Sequence, residues 1–428
     1  MSAPVTQPRE VQPARPPRGL PRLLPQRPEG LRDHLARVGP VPYRGRPGAL
    51  IADVQAAGLT GRGGAAFPAH RKLAIVAAGR GSKVVVANGA EGEPASRKDE
   101  ILLDAAPHLV LDGLQLAAEA VGATEAHLYL HPGAGAGIRR ALNERAGYHQ
   151  DQLEVTVNEV PPRFLAGQES AVVNWLGGGP ALPLFTPPRV TERGLGGRPT
   201  LVNNVETLAH LALIARYGPR WFRAVGTAAE PGSMLVTCYP VSGGCLVNEI
   251  ATGTPLPALF EPGAQAQAWL VGGYHGAWLP MTGARLTLDN NSLRSRGAAV
   301  GAGVLAALPA DRCGVGETAR IASYLAAESA GQCGPCVNGL PRIAATLAEL
   351  TGLRPRRNAR ADIERWAGLV IRRGACNHPD GTVRFVRSAL QVFEPEFRLH
   401  EHGRCSAANR APFLPLPNGI PTSEDDWT

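Results

Sequence analysis

Lys83-Val-Val-Val-Ala-Asn88 is a short run dominated by β-branched apolar residues, and it sets the frame for the segments around it. A strand with no polar alternation is buried on both faces, as in the interior of a parallel sheet. Ala126-His-Leu-Tyr-Leu130 and Leu153–Val157 read as further strands. Stretches with helical spacing, at Ala65–Ala78, Leu109–Val121 and about 138–146, alternate with them. That alternation predicts an α/β domain, a mostly parallel sheet with helices on both faces. From about residue 234 to 290 the texture changes. Met234–Tyr239, the run from Glu249 and the run from Ala268 read as strands ending in turns, which suggests a small α+β module with a β-grasp-like shape. From about residue 316 helical patterns dominate, over 317–327, 337–350, 363–372 and 382–393, and predict a helical bundle.

The expected division is a Pro/Arg-rich irregular arm over 1–48, the α/β domain over 49–233, the β-grasp-like module over 234–310, the helical domain over 311–408 and an irregular tail over 409–428. The net charge of +8 raises the question of an acidic partner. Lys72, Lys83 and Lys98 are the only lysines, so the charge is almost all arginine, and it is scattered rather than striped. With no recognition motif beside it, nucleic-acid binding is not expected. The longest apolar stretch, Ile101–Val121, is broken by Asp104 and Asp112, so no direct membrane span is expected. The seven cysteines come without an N-terminal apolar signal region, which argues for a reducing, cytoplasmic location and against a disulfide framework.

Four motifs carry ligand chemistry. Gly61-Arg62-Gly63-Gly64-Ala-Ala-Phe67-Pro precedes a helix that contains Lys72. Glycines admit a backbone close to a ligand, and N–H groups at a helix start cradle phosphate. Asn88-Gly-Ala-Glu91-Gly-Glu93-Pro follows a strand directly, where ligands of open α/β sheets bind. Gly167-Gln168-Glu169-Ser-Ala opens a helical run, and Pro199-Thr-Leu-Val-Asn203-Asn204-Val-Glu206 pairs two amides. Each has a plain alternative in turn or capping chemistry. His131-Pro-Gly-Ala-Gly-Ala-Gly137 imitates a dinucleotide loop, but its spacing is wrong.

A fifth motif is Glu328-Ser-Ala-Gly-Gln-Cys333-Gly-Pro-Cys336, with Cys376 some forty residues on. Thiols at this spacing suit soft metals, and three or four are needed for an iron–sulfur cluster. Zinc would want a second thiol pair or paired histidines, and only His378 is near in sequence. A redox pair would want a βαβ setting that is missing here.

Taken in order, these segments resemble the FMN- and NADH-binding flavoprotein subunit of complex I (NADH-quinone oxidoreductase) and the related subunits of NAD-dependent hydrogenases and formate dehydrogenases. The resemblance runs from about residue 48 to 400. It implies an FMN-binding α/β domain in which Gly61, Arg62, Gly63, Gly64 and Lys72 hold the FMN phosphate and ring. Asn88 and Glu91 would line the flavin, with Asn203 and Asn204 near its phosphate. Phe67 would stack on the nicotinamide side, Glu93 would contact NADH, and Gly167, Gln168 and Glu169 would sit by the isoalloxazine. Cys333, Cys336 and Cys376 would bind a 4Fe-4S cluster. No side chain is singled out as catalytic, because the chemistry belongs to the cofactors. The implied partner is a ferredoxin-like or other redox-complex subunit, through which the chain could lie peripherally on the cytoplasmic membrane.

The chain departs from the family pattern at Ala90, Gly92, Gln168 and Ala330, where the family has Asp, Ser, Glu and the first cluster cysteine. Ile75 and Val76 stand where a second aromatic is expected after the lysine. Three readings of the cluster follow: a replacement ligand among His378, Cys313 and Cys405, a 3Fe-4S cluster, or loss. The leading expectation is NADH oxidation through FMN to an iron–sulfur cluster. The alternative is a scaffold subunit that keeps the fold without oxidising NADH.

Overall fold

The computed structural model describes residues 19–149, 151–185, 187–260, 265–281, 286–353, 357–409, 411–417 and 424–427. It opens with helices α1 (Leu31–Val38), α2 (Ala49–Ala57) and α3 (Ala69–Ala78). A four-stranded sheet follows, ordered β3-β2-β1-β4, from β1 (Val84–Asn88), β2 (Glu125–Leu130), β3 (Val155–Glu159) and β4 (Thr200–Asn204). Every pairing in it is parallel. The helices between these strands are α4 (Lys98–Ala105), α5 (Pro107–Val121), α6 (Gly135–Ala146) and α7 (Glu169–Leu176), and α8 (Val205–Phe222) follows β4.

The uninterrupted apolar run of β1 has its reason in this layering. Val85 and Ala87 point into one core with residues of α2, α3, α5 and α8. Val84 and Val86 point into the opposite core with Val172 and Val173 of α7. α5 begins with Pro107 in its first turn and ends at Gly122 in the left-handed conformation, the residue types those positions favour. Its side chains are almost all buried, so the apolar stretch that includes it is core. Among the described residues no single helix is long and apolar enough to cross a membrane; α4 and α5 together form a pair bent by 97°.

The expectation of an irregular arm over 1–48 is corrected in part. Residues 1–18 lie outside the described residues, but α1 is a regular helix within the remainder. It is fixed by polar contacts. His34 Nε2 lies 2.8 Å from Asp112 of α5, which also receives Arg145 of α6 at 2.8 Å and Arg216 of α8. Arg22 stacks over Trp221 at 4.1 Å.

A second sheet is ordered β6-β5-β9-β7-β8, from β5 (Ser233–Tyr239), β6 (Leu246–Ala251), β7 (Ala266–Val271), β8 (Ala277–Pro280) and β9 (Val304–Pro309). Only the β5–β9 pairing is parallel. α9 (Asn290–Arg294) contributes Leu293 to the core on one face of this sheet. The other face packs on the helices that follow: α10 (Gly314–Ala327), α11 (Leu340–Thr351), α12 (Ala359–Val370), α13 (His378–Val392) and α14 (Glu394–Glu401). Trp278 of β8 meets Phe393 edge to face at 5.1 Å across that junction. A helical bundle after the second sheet is therefore present, as expected. Its periodicity is broken by a single π-turn at Pro335–Gly339, just before α11.

Candidate functional site

The carboxyl ends of β1 and β4 lie side by side, with Ala87 in register with Asn203 and Asn88 with Asn204. Three amide side chains therefore converge at one edge of the sheet. Asn204 caps α8, accepting the Glu206 N–H at 3.0 Å. Asn88 donates to the Gly167 carbonyl at 2.8 Å and ties β1 to the start of α7. The glycine loop folds over the same edge. Gly61 N–H donates to the Phe67 carbonyl at 2.8 Å, closing the loop that leads into α3, and Gly64 has φ +99°, open only to glycine without strain. The first turns of α3, α7 and α8 thus border one space, and helix starts favour anions.

That space is a solvent-open cleft of about 690 Å³. Gly61, Gly63, Gly64, Phe67, Lys72, Asn88, Glu91, Glu93, Gly167, Gln168, Glu169, Asn203 and Asn204 all line it. Lys72 hydrogen-bonds both Glu169 and the Val202 carbonyl, bridging α3, β4 and α7. Phe67 is 40% exposed at the cleft.

Arg62 is the exception among the residues expected to hold a ligand. Its guanidinium is buried against the Ser233 carbonyl at 3.0 Å and Thr60 at 3.3 Å, and its backbone N–H donates to Thr207. It braces the loop against β5 instead of lining the cleft.

The acidic loop is pressed inward. Glu93 accepts the Tyr274 N–H at 2.7 Å. Burial pushes its carboxyl up to about 8, with the neighbouring Glu91 adding to the shift. Burial, reinforced by Asp99, pushes Glu91 up to about 7. Below the cleft lies a charge cluster that sequence reasoning missed. Lys98 contacts Asp99 at 2.7 Å, Glu206 at 3.1 Å and Asn204 at 3.4 Å. Burial alone would raise Glu206, but Lys98, His210 and Arg62 hold it at about 2. The only signal for it in the sequence is the Arg-Lys-Asp run just after the acidic loop. His275 and Phe164 also line the cleft without a motif to mark them.

The contents of the cleft can be tested against its chemistry. The Asn203 amide nitrogen is buried and has no hydrogen-bond partner among the described residues, so a donor is left for a ligand. Backbone packs too tightly for side chains at two glycines: a Cβ on Gly92 would stand 2.2 Å from the Phe164 carbonyl oxygen, and one on Gly167 2.7 Å from that of Ala90. Helix starts, free amide, lysine and close backbone together fit a phosphorylated, planar, polar-edged cofactor.

The thiols of Cys333, Cys336 and Cys376 interact with one another. Cys336 is buried in the π-turn, an irregularity common at functional sites. A second opening is lined by Gln168, Lys72, Phe67 and Ile75 together with Cys376. The three candidates for a replacement ligand are engaged otherwise. His378 uses one ring nitrogen on the Leu325 carbonyl at 2.7 Å and the other on His275 at 3.0 Å. Cys313 and Cys405 group with Glu396 and His400.

Comparison with known proteins agrees with this division. Residues 54–213 match the family described as the Nuo51 FMN-binding domain, and residues 316–400 match the NADH-ubiquinone oxidoreductase-F iron-sulfur binding region. The second F-type subunit of NADH-quinone oxidoreductase from Rhizobium meliloti (strain 1021) is 30% identical over 383 residues, covering 84% of this chain and 90% of the relative. Its counterpart in the NADH-quinone oxidoreductase of Streptomyces coelicolor is 30% identical over 399 residues, covering 88% and 86% respectively. Among solved structures, the NAD+-reducing [NiFe]-hydrogenase in its H2-reduced state superposes with a TM-score of 0.76 at 27% identity, covering 87% of this chain and 67% of that one. The chain belongs, as a divergent member, to the family of F-type, FMN-binding and iron–sulfur-binding subunits of NADH-quinone oxidoreductase.

Proposed function

We propose that this chain oxidises NADH at an FMN seated in the β1–β4 cleft and delivers the electrons singly, through an iron–sulfur cluster on Cys333, Cys336 and Cys376, to a partner redox subunit. The carrying observation is that Gln168 lines both the cleft and the opening that Cys376 borders, which sets the cleft beside the thiols. When bound, FMN supplies the two-electron to one-electron conversion and the cluster supplies a one-electron carrier.

The residues then have distinct tasks. The start of α3 with Lys72, and the amides of Asn203 and Asn204, hold the flavin and its phosphate. Asn88 and Gly167 keep the loop floor close to the ring. Phe67 offers an aromatic face to the nicotinamide at the cleft mouth, and Glu93, neutral at mid pH, can donate a hydrogen bond to the dinucleotide. The mixed five-stranded sheet is assigned a β-grasp character and the role of docking a neighbouring subunit. The solved hydrogenase neighbour is NAD+-reducing, which supports a module working with a partner redox complex and electron flow in either direction. With His378, Cys313 and Cys405 engaged elsewhere, we assign the cluster three protein thiolates.

The test is anaerobic purification with flavin and iron analysis, followed by rapid mixing with NADH. Bound FMN that bleaches on mixing, with iron present, is the expected result. FMN that stays oxidised at millimolar NADH would leave the scaffold reading in its place.

A further inference from the structure

Cys313, Glu396, His400 and Cys405 bring four ligand atoms within 4.8 Å of one another, in a part of the helical bundle that the proposed electron path does not use. Cys313 caps the start of α10, while the cluster cysteines Cys333 and Cys336 follow its other end. Fourteen residues of helix separate the two ends, roughly 20 Å. From this juxtaposition we propose a structural zinc site, closed by two thiolates, one imidazole and one carboxylate.

The geometry is that of a single ion. His400 Nε2 lies 3.4 Å from Cys313 Sγ and 3.1 Å from Glu396 Oε1. Ligand atoms around a tetrahedral zinc stand about 3.3–3.8 Å apart, given metal–ligand bonds of about 2.0–2.3 Å. The surroundings prepare the ligands. His400 is fully buried, and its Nδ1–H donates to the Leu350 carbonyl at 2.9 Å, which leaves the Nε2 lone pair facing the thiols and carboxylate. A hydrogen bond from the far ring nitrogen is the usual support for a zinc-bound histidine. The Ser406 N–H and hydroxyl both donate to Glu396, fixing its orientation. Gly316 N–H donates to Cys313 Sγ at 3.2 Å, as N–H groups do toward metal-bound thiolates. Glu396 and His400 are one turn apart on α14 and so share a face.

The donor set selects the metal. Two thiolates with an imidazole suit zinc, whereas a calcium or magnesium site would be built of oxygens. Four protein ligands leave no open position, so the role is structural. The ion would staple the start of α10 to the end of α14 and to Cys405. The strand of chain beyond Cys405 then lies along α10, with Asn409 N–H on the Asp311 carbonyl and Leu414 N–H on Glu317.

Metal analysis and zinc-edge X-ray absorption of the full-length protein, purified anaerobically without added zinc, test the assignment. About one zinc per chain with two sulfur and two nitrogen or oxygen ligands is expected. The variant Cys333→Ser/Cys376→Ser should lose iron and keep zinc, and Cys313→Ser/Cys405→Ser should lose zinc while keeping iron and FMN. Wild-type protein lacking zinc, zinc in an all-sulfur environment, zinc that follows Cys333 and Cys376, or a Cys313–Cys405 disulfide found by mass spectrometry would each overturn it. Should the Cys313→Ser/Cys405→Ser chain not fold, the ligand count of the wild-type spectrum decides.

Discussion

Lys98 and Glu206 form an ion pair at 3.1 Å with both side chains no more than 2% exposed, directly beneath the cleft. Lys98 also reaches Asp99 and Asn204, so one ammonium neutralises two carboxylates and positions an amide expected to face the FMN phosphate. Removing it strands buried negative charge. Lys98→Met should lower unfolding stability by about 3–5 kcal/mol and weaken FMN binding. Denaturant unfolding and flavin titration measure the two effects. A conservative Lys98→Arg should recover part of the flavin affinity if positioning, and not fold alone, is what Lys98 supplies.

Glu91 and Glu93 are raised to about 7 and about 8, mainly by burial. A carboxyl raised in the folded state holds its proton there more tightly than in the unfolded chain. Its ionisation therefore costs stability, progressively as pH rises from the ordinary carboxyl range near 4.5 through about 8. The same charges oppose an anionic dinucleotide. NADH affinity should fall on the order of tenfold between pH 6 and pH 9, the scale of a like charge a few ångströms away at intermediate dielectric. Glu93→Gln should flatten the upper part of that profile. Equilibrium titrations of NADH analogue binding at several pH values measure it, and a profile unchanged by the substitution would remove Glu93 from the nucleotide site.

Gln168 replaces a carboxylate with an amide beside both the cleft and Cys376. Fewer negative charges near a flavin favour its reduced form, which holds the added electrons and carries negative charge. Gln168→Glu, alone or with Ala90→Asp, should therefore lower the flavin reduction potential and slow its reduction by NADH at limiting driving force. Spectroelectrochemical titration gives the sign directly. A potential that rises or stays fixed in the double variant would mean that these positions do not tune the flavin.

Legibility in the sequence depends on whether the signal is local. β1 can be read because β-branched residues buried on both faces leave no polar alternation, and the motif glycines because backbone approach admits little else. Lys98 cannot, because its partners Glu206 and Asn204 come from a segment more than a hundred residues away, and only the sheet register joins them. Arg62 lies in the right motif, yet its long side chain finds the Ser233 carbonyl, a contact set by the second sheet. α1 is hidden inside a Pro/Arg-rich stretch because its stability comes from His34 reaching Asp112, not from its own sequence. Cys313 and Cys405 are weighed with the cluster because cysteine spacing carries no information about two ends of a helix.

Gly92 stands where the family has serine, and the structure gives the reason. The chain at Phe164 passes so close that a Cβ there would stand 2.2 Å from its carbonyl oxygen. Gly92→Ser must push the acidic loop or the 163–164 turn aside, at a cost of about 1–3 kcal/mol for overpacking. The displaced loop carries Glu91 and Glu93, so nucleotide affinity should drop with stability, while flavin affinity changes less. Thermal unfolding with parallel FMN and nucleotide titrations separates these. Tolerance of serine without any shift in melting would show that the turn is free to move.

Ala330 is a further departure, and it isolates the question of the cluster. It sits in the turn between α10 and Cys333, next to Gly331 in the left-handed conformation (φ +65°), and is not buried. Ala330 already carries a Cβ, so a cysteine there does not meet the Cβ–backbone clash found at Gly92. A fourth thiolate completes the usual cysteine set of a 4Fe-4S centre, whereas three favour a three-iron centre or leave one iron open to solvent. Ala330→Cys should raise iron per flavin, make the cluster more resistant to air and change its paramagnetic signature, leaving FMN content unaltered. Iron and sulfide analysis with electron paramagnetic resonance on the paired proteins reads this out. Identical iron content and spectra would mean that residue 330 does not face the cluster.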